Sequence, residues 1–182
     1  MLHYVLKKSI KPPFSESFNE IYFGMGCFWG VEKLFWNIPG IWITAVGYSG
    51  GSLKNPTYQQ ICNEETGHAE VVKIIYNSNI INLSKLLDLF WENHDPTQGM
   101  RQGNDIGSQY RSVIFVINET DFKIAETSKE KVQKILFKNN YNEITTEIKS
   151  LETFYYAEEY HQQYLAKNPN GYCNLKGLNI KL

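Results

Sequence analysis

Neither sign of charge is in excess: 18 lysines and arginines face 19 aspartates and glutamates, a formal charge of -1. Nothing in that balance draws the chain to a nucleic-acid backbone or an anionic membrane, and neither is expected as a partner. No apolar run approaches the roughly 20 residues that a spanning helix requires. The opening MLHYVLKKSIKPPFSESF interrupts any signal-type apolar region with Lys7, Lys8, Lys11 and two prolines. Cysteine is also scarce. Cys27, Cys62 and Cys173 are an odd count, far apart, with no C-x-x-C pair, which excludes a disulfide-stapled scaffold and a four-cysteine zinc site. A soluble protein of a reducing compartment, the cytoplasm, is expected. No H-E-x-x-H or H-x-x-x-H spacing is present, so no metal is expected. Repeats and low-complexity tracts are absent. With 42% hydrophobic residues over 182 positions, one domain with a substantial core is expected, residues 1–182.

What is there alternates strands and helices. EIYFGM (20–25) reads as a strand, and Val31, Leu34, Phe35 and Ile38 recur on one face of a helix that Pro39-Gly40 stops. IWITAV (41–46) is β-branched and aromatic, hence a strand, followed by the turn-rich GYSGGSLKNP and a short helix at TYQQIC. AEVVKIIY (69–76) reads as a buried strand. Asn82 or Ser84 caps a helix striped by Leu83, Leu86, Leu87, Phe90 and Trp91. The polar stretch from His94 to Gln109 has no periodicity and is long enough to be a functional loop. YRSVIFVI (110–117) is a central strand, and a mostly polar helix follows from Thr120 to Asn139. Ile144, Thr146 and Ile148 alternate as an edge strand would. AEEYHQQYLAKN suggests a helix, and the segment after it is Asn/Gly-rich and irregular. The order β-α-β-β-α-β with one further helix and strand predicts an α+β fold, specifically a ferredoxin-like split βαβ plait with a mixed sheet. Residues 1–19 then form an N-terminal extension and 168–182 a C-terminal arm carrying Cys173.

In GMGCFWG (24–30) the glycines give G-x-G-x-x-x-G, out of register for a dinucleotide fingerprint, and no G-K-[ST] follows for a P-loop. Cys27 is either a small packed hydrophobe, as most free cysteines are, or a thiol at the first turn of a helix, where unpaired N–H groups favour thiolate. Its position favours the second slightly. Phe28 and Trp29 fall largely off the helix's apolar stripe, free to line an apolar pocket or to pack on a neighbouring loop. Glu70 shares a strand face with Val72 and Ile74, so desolvation is expected to keep its carboxyl protonated and able to donate. Tyr58, Tyr110, Asp105 and Arg111 lie in or beside polar loops, but 12 tyrosines give no ground for choosing two. His68 and His94 read as structural. Cys173 sits in a segment pliant enough to reach a distant site, and Cys62 reads as a core residue.

Taken together, GCFWGVEKLFW, GYSGGSLKNPTYQQIC, TGHAEVV, FWENHDPTQGMRQGNDIGSQYRS and FYYAEEYHQQYL resemble the peptide-methionine (S)-S-oxide reductases, from Ile21 to Cys173 and in the same order. The resemblance implies reduction of the S epimer of methionine sulfoxide, protein-bound or free, by a monomer without a cofactor. It implies Cys27 as nucleophile, Glu70 as proton donor, and Tyr58 and Tyr110 as donors to the sulfoxide oxygen. Phe28 and Trp29 would hold the S-methyl group and Asp105 the substrate backbone. Cys27 would become a sulfenic acid, condense with Cys173 as resolving thiol, and be restored by thioredoxin. After Cys173 the chain reads NLKGLNIKL, without the further recycling cysteine some members carry, so a two-cysteine cycle is expected. The rival reading is a cysteine hydrolase, with Cys27 paired to His68, His94 or His161; a module that only binds methionine peptides is another.

Overall fold

In the first strand, alternation sends Ile21, Phe23 and Met25 to one face and Tyr22 to the other, and both faces prove to be covered. The computed structural model describes residues 1–182. The chain runs β1 (Phe18–Met25), α1 (Phe28–Phe35), β2 (Ile41–Ser49), α2 (Tyr58–Asn63), β3 (Ala69–Asn77), α3 (Leu83–Glu92), β4 (Arg101–Gln102), β5 (Asp105–Ile106), β6 (Ser112–Val116), α4 (Glu119–Lys138), β7 (Glu147–Ser150), β8 (Phe154–Tyr156) and α5 (Tyr164–Lys167). Six strands form one sheet in the order β7-β6-β1-β3-β2-β8. Only β6 and β7 pair in parallel, so the sheet is mixed and the fold α+β. No helix is long and apolar enough to cross a membrane.

Helix starts follow from their caps. Thr57 and Gln60 form a capping box on α2, Asn82 accepts the Lys85 N–H for α3, and Asn118 accepts the Asp121 N–H for α4. The apolar stripes of α1, α3 and α4 meet one sheet face in a core of 26 buried residues that includes Phe35, Leu86, Phe90, Trp91 and Leu136. The other face is covered partly by the N-terminal extension. Ile10 is fully buried against Ile43, Ala45 and Ile75, with Leu6 and Phe14 beside it.

Four local expectations change. The strand at 41–46 continues through Ser49, because Gly47, Tyr48 and Ser49 pair with β3 on one side and β8 on the other. The loop from His94 to Gln109 is built, with a small β4–β5 hairpin and a 3-10 turn at Ser108–Tyr110; Tyr110 therefore precedes its expected strand. The helix expected over AEEYHQQYLAKN shrinks to α5. Strand β8 went unforeseen: its residues are half-buried and gain their hydrogen bonds only by pairing with β2.

The extension is tied to α1 through a buried polar chain. His3 Nδ1 accepts the N–H groups of Val5 and Leu6, which leaves Nε2–H to donate to Thr44 Oγ1 at 2.9 Å. Thr44 in turn donates to Glu32 Oε1 at 3.1 Å. Glu32, fully buried on α1, also accepts the Gln163 backbone and side-chain N–H groups, each at 2.7 Å. His3 lies 3.9 Å from Glu32, but burial lowers its pKa to about 4, so the pair is neutral histidine beside a carboxyl rather than an ion pair. Burial outweighs the donated hydrogen bonds and pushes Glu32 up to about 7.

Candidate active site

At the end of β1 the chain must turn sharply to enter α1. Gly26 makes the turn with φ +91°, and a Cβ there would stand 2.7 Å from the Gln102 side chain, so both conformation and space require glycine. Cys27 follows at the N-cap of α1 without a side-chain cap of its own. Its sulfur, Phe28, Trp29, Tyr58, Glu70, Asp105, Tyr110 and Tyr172 line one cavity of about 240 Å³. Residues separated by up to 145 positions thus meet at one end of the sheet. Two larger clefts, of about 390 and 400 Å³, lie along α4 and hold no cysteine or histidine; size does not mark the site here, chemistry does.

Glu70 is buried on β3, opposite Tyr48 of β2. Its Oε2 accepts the Phe28 N–H at 3.0 Å, which ties the acid to the first turn of α1. Burial, only partly offset by that bond, pushes its pKa up to about 8, so Glu70 carries a proton at neutral pH. The expectation for Cys27 is reversed. Burial drives the thiol well above its ordinary value, the Glu70 carboxylate adds to this, and the Trp29 backbone N–H recovers only part. Desolvation beats the helix-end field because the half-buried sulfur lies in a small cavity beside an acid. Burial likewise raises the hydroxyls of Tyr58 and Tyr110, keeping both as neutral donors. Tyr58 is held by its backbone N–H, which donates to Glu158 Oε1 at 2.8 Å. Tyr110 is held by its turn, which Arg111 pins through bonds to the carbonyls of Ser108 and Gly67. Arg111 is therefore a buried scaffold group.

The aromatic pair divides. Phe28 is 1% exposed and belongs to the main core, so it is not off the stripe as its spacing suggests; it forms a buried wall against Tyr48 and His161. Trp29 is clamped. Its indole N–H donates to His161 Nδ1 at 3.0 Å, and the Tyr164 ring stacks on it at 3.8 Å and 15°. His161 was named only as a base of the hydrolase reading, and Tyr164 and Tyr172 not at all. The first two lie in FYYAEEYHQQYL, a segment without catalytic spacing of its own, and Tyr172 precedes Cys173. Tyr172 donates to Asp105 Oδ1 at 3.0 Å.

Cys173 does not line the cavity; it lies on the exposed arm against α1. Cys62, expected in the core, is exposed on α2, because Ile61 alone of that helix is buried. No histidine serves Cys27 as a base. His68 Nδ1 accepts from Gly51 N–H and Nε2 donates to the Leu53 carbonyl. His94 bridges the Phe90 carbonyl and Ser112. His161 has its lone pair occupied by Trp29, and burial lowers its pKa to about 4. The hydrolase reading loses its base.

These groups set a pH dependence of stability. Glu32 and Glu70 stand at about 7 and about 8, against an ordinary 4.5. Their raised values contribute stability that is complete below pH 4.5 and lost as pH rises through 7 and 8. The buried His3, His94 and His161, all lowered to about 4 from 6.5, contribute the opposite arm, lost as pH falls from 6.5 towards 4. Urea unfolding is expected to show greatest stability near about pH 6. Above that it should decline by about 1.4 kcal/mol per pH unit for each of the two carboxyls that still holds its proton in the folded state, levelling off above about pH 8. A flat alkaline arm would contradict neutral burial of the two acids.

The family model described as Peptide methionine sulfoxide reductase matches residues 19–181. A Brucella anthropi protein named Peptide methionine sulfoxide reductase MsrA is 54% identical over 178 residues, covering 98% of this chain and 82% of that one. Among solved structures, methionine sulfoxide reductase A of Corynebacterium diphtheriae superposes with TM-score 0.88 at 42% identity, over 94% of this chain and 83% of that one. Mxr1 from Saccharomyces cerevisiae in complex with Trx2 does so with TM-score 0.63 at 25% identity, over 96% and 99% of the two chains. A match that runs through both core faces and every cavity residue leaves no part of the site outside it: the chain belongs to the peptide methionine sulfoxide reductase family.

Proposed function

We propose that this enzyme reduces the S epimer of methionine sulfoxide, in oxidised proteins or as the free amino acid, through Cys27 and Cys173 with thioredoxin as reductant. The observation that carries the reading is the convergence, in one small cavity, of a thiol, a protonated buried carboxyl and two phenol donors against an aromatic wall. A sulfoxide needs those groups together: its oxygen leaves sulfur only once protonated, while a nucleophile approaches the sulfur.

In this scheme the substrate methyl group lies against Phe28 and Trp29, Asp105 contacts the substrate backbone, and the oxygen accepts hydrogen bonds from Tyr58 and Tyr110. Cys27 sulfur attacks the sulfoxide sulfur as Glu70 protonates the oxygen. The thiol proton replaces the one Glu70 gave up. The protonated oxygen then passes to Cys27 sulfur: the substrate S–O bond and the new S–S bond break as the Cys27 S–O bond forms, methionine leaves, and Cys27 holds the hydroxyl as a sulfenic acid. Cys173 sulfur attacks that sulfenic sulfur, a disulfide forms and water departs. Thioredoxin reduces the disulfide by exchange; the solved complex of Mxr1 with Trx2 supports that donor. Cys62 stays outside the cycle. No cofactor enters any step.

The finer architecture is read in the same way. The strand order β6-β1-β3-β2, all antiparallel, supports a ferredoxin-like split βαβ plait. Strands β7 and β8 extend it at the two edges. The shared cores support one catalytic domain over 1–182, active as a monomer in the cytoplasm, where thioredoxin is kept reduced.

A reductant-dependent assay on separated S and R epimers tests the reading. Turnover of the S epimer alone, strictly dependent on thioredoxin or dithiothreitol, is expected; equal turnover of R, or any turnover without reductant beyond one equivalent, contradicts it.

A further inference from the structure

We infer that Gly30 is the positioning residue of the resolving step: the side chain it lacks is the seat in which the Cys173 thiol rests beside the turn that carries Cys27. The inference rests on the reading of Cys173 as the resolving thiol. A Cβ at Gly30 would stand 3.0 Å from Cys173 Sγ and 3.1 Å from Leu175 Cβ, so the arm occupies the space a side chain would take. Gly30 follows Cys27 by three residues, in the first turn of α1, the helix that Cys27 caps. The resting thiol is thereby held against the first turn of the helix that Cys27 caps.

The arm is fixed on both sides of Cys173. Tyr172 donates to Asp105, Asn174 Nδ2 donates to the Gln102 carbonyl at 3.2 Å, and Leu175 packs on the main core. Three anchored neighbours leave Cys173 little freedom to choose another approach. Helix propensity argues the same way. Gly30 is buried inside α1, where alanine would be the better helix former, so the glycine serves the space outside the helix rather than the helix.

The chemistry needs that proximity. Cys173 sulfur forms a bond to the Cys27 sulfenic sulfur, the S–O bond breaks, and the oxygen leaves as water with the thiol proton and the proton it already carries. An intramolecular attack of this kind draws its rate from preset geometry, and displacement of the attacking atom by a fraction of an ångström is costly.

The test is a Gly30→Ala enzyme, fully reduced and given one equivalent of a methionine sulfoxide peptide. Methionine release is followed in the burst, the Cys27–Cys173 disulfide by mass spectrometry, and sulfenic acid by dimedone trapping. Methionine formation within about twofold of the parent is expected, with disulfide formation slowed about tenfold and the dimedone adduct accumulating on Cys27. Disulfide formation at the parent rate overturns the inference, as does loss of the methionine burst itself, since Gly30 is assigned to the second step only. Cys173→Ser, run in parallel, separates the two claims. No disulfide in that variant keeps the reading of Cys173, whereas a disulfide to Cys62 removes that reading and this inference with it.

Discussion

Cys27→Ser is expected to reduce no methionine sulfoxide with any reductant, a loss of more than about 10⁴-fold on the scale of removed nucleophiles. Sulfur is needed three times in the cycle: to attack the substrate sulfur, to carry the oxygen as sulfenic acid, and to exchange it for a disulfide. A serine hydroxyl has no counterpart to the last two and is a poor nucleophile towards sulfur. The substitution is nearly isosteric, and neither the start of α1 nor the Trp29 clamp depends on a side-chain bond from Cys27. Binding should therefore survive. Of the four tryptophans only Trp29 lines the cavity, so indole fluorescence on titration with substrate reads binding separately from turnover. Residual turnover above about 1% of the parent would remove Cys27 as the nucleophile.

Glu70→Gln is expected to slow methionine formation by about 10²- to 10⁴-fold, the usual weight of a positioned acid. The amide oxygen still accepts the Phe28 N–H, so the fold around it is kept while the transferable proton is lost. The pH dependence follows from the sign of the shift. Glu70 is raised to about 8, so the parent holds its acid form below that value, and its single-turnover rate falls as pH rises through it. The Gln variant should lack this fall. A second readout moves the other way. Once ionised, Glu70 opposes the Cys27 thiolate, so removing it should speed alkylation of Cys27 by iodoacetamide above about pH 8 even as catalysis is lost. Slower catalysis with a more reactive thiol separates proton donation from thiol activation. An alkaline fall that persists in the variant would sink the donor role.

How much of this was legible before the fold was known differs from residue to residue. Cys27, Phe28 and Trp29 are contiguous, so the half of the site on α1 was visible as a motif. Glu70 was visible because strand alternation is local: sharing a face with Val72 and Ile74 predicted burial, and burial predicted a protonated carboxyl. The tyrosines were not. Only resemblance selected Tyr58 and Tyr110 among twelve, since nothing within a loop of such composition says where its hydroxyl will point. Cys62 was misjudged because an apolar neighbour does not fix which side of a six-residue helix faces inwards.

The thiol itself gives the sharpest contrast. A helix start argued for a lowered pKa, and that argument is sound for an exposed N-cap. Burial beside Glu70 overrides it, and burial depends on elements 40 and more residues away. The clamp on Trp29 has the same origin: His161 lies 132 residues from it.

Periodicity, caps and turn residues were enough for the order of the main strands and helices, the α+β class and the stretch from Cys27 to Trp29 as a candidate half-site, because each depends on neighbours within a few positions. The edge strand β8, the ordered loop that carries Asp105 and Tyr110, the protonated state of Cys27 and the seat of Cys173 at Gly30 were decided by folding. All four depend on desolvation or steric fit between distant segments, and neither quantity exists until the chain has closed on itself.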